Sequence, residues 1–243
     1  MLKSLLNRFP EQFEVDGVVL PLKQMPLDAK TKRRILRGGY ETAERRLVAK
    51  FVKEGDRILE FGGSLGVVSS ILAKRVGSAG RVVSVEPDDS LRPAFDYQMQ
   101  LNSLKVDCVC ALGCPIWADS VPSEWKSKSF SNQGHSLSGR AESESESAES
   151  GVDSAPWKTA LEICRESSLE PNVLIVDIEG AETVWCEHTP NFPESVNLLI
   201  VEFHPEINGE DVAGQAVQAV VNEGFEVVGF SRTVLAFQRS KAR

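Results

Sequence analysis

The sequence is poor in the residues from which metal and redox frameworks are built: its 243 residues hold five cysteines and three histidines. An odd cysteine count without framework spacing argues against a disulfide-stapled fold. Cys108, Cys110 and Cys164 sit within apolar patterns, as reduced core thiols of a cytoplasmic protein do. Cys108-Val109-Cys110 has no matching pair elsewhere, so a zinc site is not expected. No apolar run approaches the roughly 18 to 20 residues that cross a bilayer, so no membrane span is expected. Residues 1–13 have too little apolar length for a signal peptide. A surplus of positive charge is lacking too. The net charge of −8 argues against nucleic acid and anionic membrane as partners, because both are held by clustered Lys and Arg. The one basic patch, Lys30, Lys32, Arg33, Arg34 and Arg37, reads as the exposed face of an N-terminal helix.

What is present is enough apolar material, 42%, for one full core. We expect a main domain over 41–243, preceded by a hairpin and helix extension over 1–40. The most informative run is Ile58-Leu59-Glu60-Phe61-Gly62-Gly63-Ser64-Leu65-Gly66, followed by Val82-Val83-Ser84-Val85-Glu86-Pro87. It reads as an apolar strand, a glycine-rich turn opening a helix, and a second strand ending on a carboxylate. Glycines admit a ligand close to the backbone, and Glu86 is placed like an acid that binds the two ribose hydroxyls of an adenosine. A dinucleotide fingerprint ending at Gly66 would need glycine where Phe61 stands. What remains, E-x-G-x-x-x-G, is the pattern of S-adenosyl-L-methionine sites, with Glu60 facing the methionine amine and Gly62, Gly63, Ser64 and Gly66 making room for its carboxylate end.

Along the chain, two short strands flank Asp16-Gly17 as a hairpin, and a helix is expected over 41–51. Strands are then expected at 57–61, 82–86, 106–112, 173–177 and 198–203. Helices at 65–76, 91–102, 159–165 and 181–186 lie between them, and another follows near 211–221. This alternation means an α/β fold with a parallel sheet and helices on both faces. The last two strands, 225–230 and 234–238, are joined too tightly for a crossover and must form an antiparallel hairpin. Five parallel strands closed by such a hairpin make the Rossmann-like, seven-strand methyltransferase sheet. Residues 118–156, rich in Ser, Glu and Gly, interrupt the alternation and are expected to be disordered. They leave the carboxyl end of the third strand, where a lid over substrate and a passive solvated insertion are both open readings.

Two more segments end strands on that face: Val173-Leu174-Ile175-Val176-Asp177-Ile178-Glu179-Gly180-Ala181-Glu182 and Leu198-Leu199-Ile200-Val201-Glu202-Phe203-His204. If these strands are neighbours, Asp177, Glu179, Glu202 and His204 converge. With Gly39-Tyr40-Glu41, Gly80-Arg81-Val82 and Asn102, these runs resemble the FkbM family of S-adenosyl-L-methionine-dependent methyltransferases over about 38–237, leaving out the insertion. One departure is Ile175, where members often carry Lys.

The resemblance implies methyl transfer to a hydroxyl of a small-molecule acceptor, a sugar or natural product. The acceptor must lose a proton, for which Asp177 or His204 is the candidate base, with Glu179 and Glu202 orienting substrate or partner groups. An alternative has Asp177, Glu202 and His204 hold a divalent cation. Tyr40 and Glu41 are placed to fold over the cofactor, or Glu41 merely favours a helix start. Trp117 is a candidate cover for adenine or a core residue, and Trp185 is expected to pack its helix. Competing readings are a nicotinamide-dependent oxidoreductase and a non-catalytic binding module.

Overall fold

The computed structural model describes residues 9–126 and 155–240. A hairpin, β1 (Phe13–Val15) and β2 (Val18–Leu20), precedes α1 (Ala29–Leu36) and α2 (Thr42–Phe51). The chain then alternates through β3 (Arg57–Phe61), α3 (Val67–Val76), β4 (Arg81–Val85), α4 (Arg92–Leu101) and β5 (Asp107–Val109). After β6 (Leu112–Cys114) and the short α5 (Ser123–Lys126) come β7 (Trp157–Thr159), α6 (Ala160–Ser167), β8 (Val173–Val176), α7 (Val184–Glu187) and β9 (Leu198–Glu202). The last elements are α8 (Pro205–Asn208), α9 (Glu210–Asn222), β10 (Phe225–Ser231) and β11 (Val234–Arg239).

Seven strands form one sheet in the order β10-β11-β9-β8-β3-β4-β5. β5, β4, β3, β8 and β9 run parallel, whereas β11 is antiparallel to β9 and to β10. This is the Rossmann-like methyltransferase arrangement expected above. Helices cover both faces, so the central strands are largely apolar. Alternate residues feed two cores: Ile58, Val82 and Ile175 pack against α2, α3 and the hairpin. Leu59, Val83 and Leu174 pack toward α6, α7 and α9. The polar exceptions, Glu60 and Ser84, are register partners on β3 and β4. The N-terminal hairpin is tied to the same core: Val15, Val18 and Leu20 are buried there, and Asn102 accepts from the Val19 N–H at 2.7 Å and donates to its carbonyl at 2.9 Å.

Three expectations need correction. The strand expected over 106–112 is two: β5 stays in the main sheet, while β6 turns away and pairs with β7 in a separate parallel ribbon. Gly113 sits against the Phe61 ring there, where a Cβ would clash. The insertion is not structureless at its edges. Val121 and Trp125 are buried, and the Trp125 indole donates to Glu187 at 2.9 Å, because these flanks carry apolar groups that the Ser/Glu run lacks. Residues 127–154, including Glu142 to Ser147, lie outside the described residues. Lastly, Lys32 is not on the exposed face of α1. It is buried, with its ammonium donating to the Lys23 carbonyl, and burial lowers its pKa. No helix among the described residues is long and apolar enough to cross a membrane.

Candidate functional site

From β3 the chain moves outward through β4 to β5, then returns to build β8 and β9 on the other side. The carboxyl ends of β3 and β8 therefore meet at a topological switch point, where open α/β sheets bind ligands. Gly62 lies in this seam with φ +97°, and a Cβ on it would run into the Asp177 carbonyl oxygen. The Asp177 N–H donates to Phe61 O at 2.9 Å, while the Gly62 and Gly63 N–H groups both donate to Val85 O. A Cβ on Gly63 would meet Ser84 Oγ, and one on Gly66 would lie 2.9 Å from Met99 and Phe95. The glycines are thus required first by the protein's own packing, against backbone at Gly62 and against side chains at Gly63 and Gly66. Their consequence is a turn folded flat onto the strand ends, with a cleft above it.

That cleft encloses about 500 Å³, open solvent included, and is lined by Tyr40, Glu41, Glu44, Gly62, Gly63, Ser64, Glu86, Asp177 and Glu179, with Leu65, Val67 and Val68. Five of these are carboxylates, and among the described residues no Lys or Arg lines the cleft. A second recess shares Ser64 and Glu86 with it and extends to Asp88, Arg92, Phe95, Cys108 and Cys110. Glu86 stands where the two adjoin. Its Oε2 accepts from the Ser64 N–H at 2.8 Å and its Oε1 from the Asp88 N–H at 2.9 Å. Burial pushes this carboxyl up to about 7 against the opposing pull of those two bonds. Pro87 lines neither recess; its carbonyl accepts from the Cys110 thiol.

Glu60 departs from its expected place. It does not line the cleft but lies buried under α3, Oε2 accepting from Ser69 Oγ at 2.5 Å. Its Oε1 has no hydrogen-bond partner, and burial raises its pKa to about 7. Tyr40 and Glu41 do reach the cleft. Glu41 has a left-handed backbone at the start of α2 and its side chain caps nothing, so helix-start chemistry does not account for it. Burial, then the charge of Glu202, raises its pKa. Burial also raises the Tyr40 phenol, over which the Arg34 guanidinium lies at 5.8 Å.

Glu44 was missed in the sequence. It is buried, and its pKa is driven well above the ordinary range by burial and by Asp177, Glu41 and Glu60. Its position three residues after Glu41, beside the buried Leu47 and Val48, was the available signal. Trp117 lines neither recess; it packs edge-on against Phe192, 5.7 Å between ring centroids. Trp185 packs α7 as expected, its indole donating to Pro115 O.

At the end of β9 the buried His204 meets the end of β8. Its Nε2 lies 3.6 Å from Asp177 Oδ1 and 3.5 Å from Glu179 Oε2. Its backbone N–H donates to Glu182 Oε1 at 2.8 Å, and its Nδ1 stands 3.3 Å from the same oxygen. Glu182 Oε2 accepts from the Gly180 N–H, so this buried carboxylate joins the two strand ends. The segment after β8 does not stay extended as strand alternation assumed, since Glu179 has φ +49°. The carboxylates converge all the same. Burial works against protonation of His204, but the bond to Glu182 and the charges of Glu182, Asp177 and Glu179 prevail and lift it to about 9. Burial, followed by Glu202 and Glu41, raises Asp177 well above the carboxylate range. Glu202 thus influences the group by charge, while its Oε1 accepts from Thr233 Oγ1 at 2.9 Å.

The chain matches no protein-family model and no curated protein. Among solved structures it is similar to a candidate rRNA methylase from Clostridium thermocellum, at 12% identity and TM-score 0.48, covering 82% of this chain and 95% of that one. Another is Aeropyrum pernix fibrillarin, solved with bound S-adenosyl-L-methionine, at 14% identity, TM-score 0.43 and coverage of 76% and 66%. A third is an S-adenosylmethionine-dependent O-methyltransferase from Thermotoga maritima, at 12% identity, TM-score 0.43 and coverage of 82% and 66%. At these scores the reading of the site rests on its own geometry.

Proposed function

We propose that this protein is an S-adenosyl-L-methionine-dependent methyltransferase of the FkbM kind, acting on a hydroxyl oxygen of a sugar or small natural product. The carrying observation is the charge of the cleft. Glu41, Glu44, Glu86, Asp177 and Glu179 line it, with no Lys or Arg among the described residues. Such a lining favours a nucleoside bearing positive charge and opposes the pyrophosphate of a dinucleotide. The two recesses joined at Glu86 suit an elongated ligand with its sugar at the junction.

In this reading Glu86 accepts from the ribose hydroxyls, and the recess by Phe95 takes the base. The turn Gly62, Gly63, Ser64 and Gly66 flanks the amino-acid end, while Tyr40, Glu41 and Glu44 face the cationic centre. Glu60 acts from beneath, bracing α3 through Ser69. The cofactor supplies a methyl group on a sulfonium that already leaves well, so the protein's task is alignment and proton removal. Asp177 lines the cleft and is the residue placed to take the hydroxyl proton, with Glu179 orienting the acceptor and His204 holding both carboxylates from behind.

The test is thermal unfolding of the full chain titrated with S-adenosyl-L-methionine, S-adenosylhomocysteine and NAD(H). A ligand that binds only the folded state raises the melting temperature. A rise with the first two and none with NAD(H) is expected. No response to either of the first two removes the reading, and a response to NAD(H) alone replaces it with an oxidoreductase.

A further inference from the structure

The geometry points to a divalent-cation site of Mn2+ type formed by Asp177, Glu179 and His204, deepening the reading above by placing a Lewis acid beside the acceptor hydroxyl. The ligating atoms of the three side chains all lie within 4.8 Å of one another. His204 is more than nine-tenths buried, and its Nε2 is aimed at the two carboxylates without a hydrogen bond to either, at 3.6 and 3.5 Å. Asp177 Oδ1 is buried and also has no hydrogen-bond partner. Nδ1 is engaged by Glu182, so Nε2 is the ring nitrogen turned toward the two carboxylates. A divalent cation between these atoms would displace the Nε2 proton of the imidazolium and answer both carboxylates in its place. Atoms each about 2.1 Å from one cation stand about 3 to 3.5 Å apart at octahedral to tetrahedral angles, close to the spacings here.

The surroundings also suit a metal. A ligating histidine usually gives its other ring N–H to a carboxylate, the place Glu182 takes. One imidazole with two carboxylates favours Mn2+ over Mg2+ or Ca2+, and no thiolate joins the set to select zinc. Of the set anticipated from sequence, Glu202 is replaced by Glu179, because Glu202 is engaged by Thr233. A cation here would lower the pKa of a coordinated hydroxyl, and the exposed remainder of Asp177 still faces the cleft.

The experiment is a Mn2+ titration of the metal-free full chain, followed by loss of the free-ion electron paramagnetic resonance signal. One site per chain is expected, weakened at least tenfold by His204→Ala and by Glu179→Gln and unchanged in Glu226→Gln. If His204→Ala does not fold, Glu179→Gln, on a partly exposed side chain, decides alone. Absence of binding below millimolar Mn2+, or binding indifferent to Glu179→Gln, overturns the proposal. S-adenosylhomocysteine melting shifts in excess chelator separate the two readings. If they persist without Mn2+ binding, the metal alone is refuted; if Mn2+ binds and they are missing, the methyl-donor reading fails.

Discussion

Gly62 and Asp177 close the seam between β3 and β8 so tightly that the glycine's missing Cβ would occupy the space of the Asp177 carbonyl oxygen. Gly62→Ala combines that collision with a positive φ and should cost about 2 to 4 kcal/mol in urea denaturation. Gly55→Ala is the control: its φ is +84° with nothing within 4 Å of the added carbon, so about 1 to 2 kcal/mol is expected. Equal losses would show that space at the seam is not the constraint.

Glu86 accepts from the turn through Ser64 and from its own loop through Asp88. Glu86→Ala should abolish the melting shift with S-adenosylhomocysteine while the far-ultraviolet circular dichroism spectrum persists. An unchanged shift would reject its role at the ribose.

Glu60 and Glu86 give a pH dependence of stability. Both carboxyls are held near 7 in the folded chain against an ordinary 4.5, mainly by burial. Between those values the folded form keeps protons that the unfolded chain has lost. Stability from these groups is therefore greatest at or below about 4.5, falls as pH rises to about 7, and is level above, by an amount on the order of 3 kcal/mol each. Glu60→Gln should flatten that fall when denaturation is compared at pH 5.5 and 8. The same slope in the variant would mean Glu60 titrates normally.

Glu182→Ala should strip the Gly180 and His204 N–H groups of their shared acceptor. Two buried donors left unpaired cost about 2 to 5 kcal/mol. Chemical denaturation measures the loss, and a value under about 1 kcal/mol would show that this tie between strand ends is dispensable.

Trp125→Ala probes the edge of the insertion. The indole is 2% exposed and bonded to Glu187, so about 3 to 5 kcal/mol should be lost in urea. A negligible loss would return these flanks to the disorder expected from their composition.

The sheet was legible because buried parallel strands leave unbroken apolar runs, and the short Ser231 to Thr233 link dictates a hairpin. Most of the cleft was legible through glycine and acid at strand ends. β6 and β7 were not, since their pairing joins residues 112–114 to 157–159 across the insertion and leaves no local pattern. Glu60 misled because its strand-end position says nothing of which face its side chain takes; Ser69 and Ser84 draw it inward. Glu182 looked like part of a family motif, and only the fold reveals that it braces a histidine 22 residues away. Glu202 was placed correctly on its strand, but its bond to Thr233 depends on the hairpin pairing β11 with β9.

Asp177 belongs to two groups of potential ligands at once, one with Glu41 and Glu44 and the other with Glu179 and His204. A positive charge taken up on either side draws on this shared carboxylate and weakens the negative potential that would hold a second one on the other. Methyl donor and cation would then be thermodynamically linked: each would weaken the other by the same factor, and the order in which they arrive would not matter.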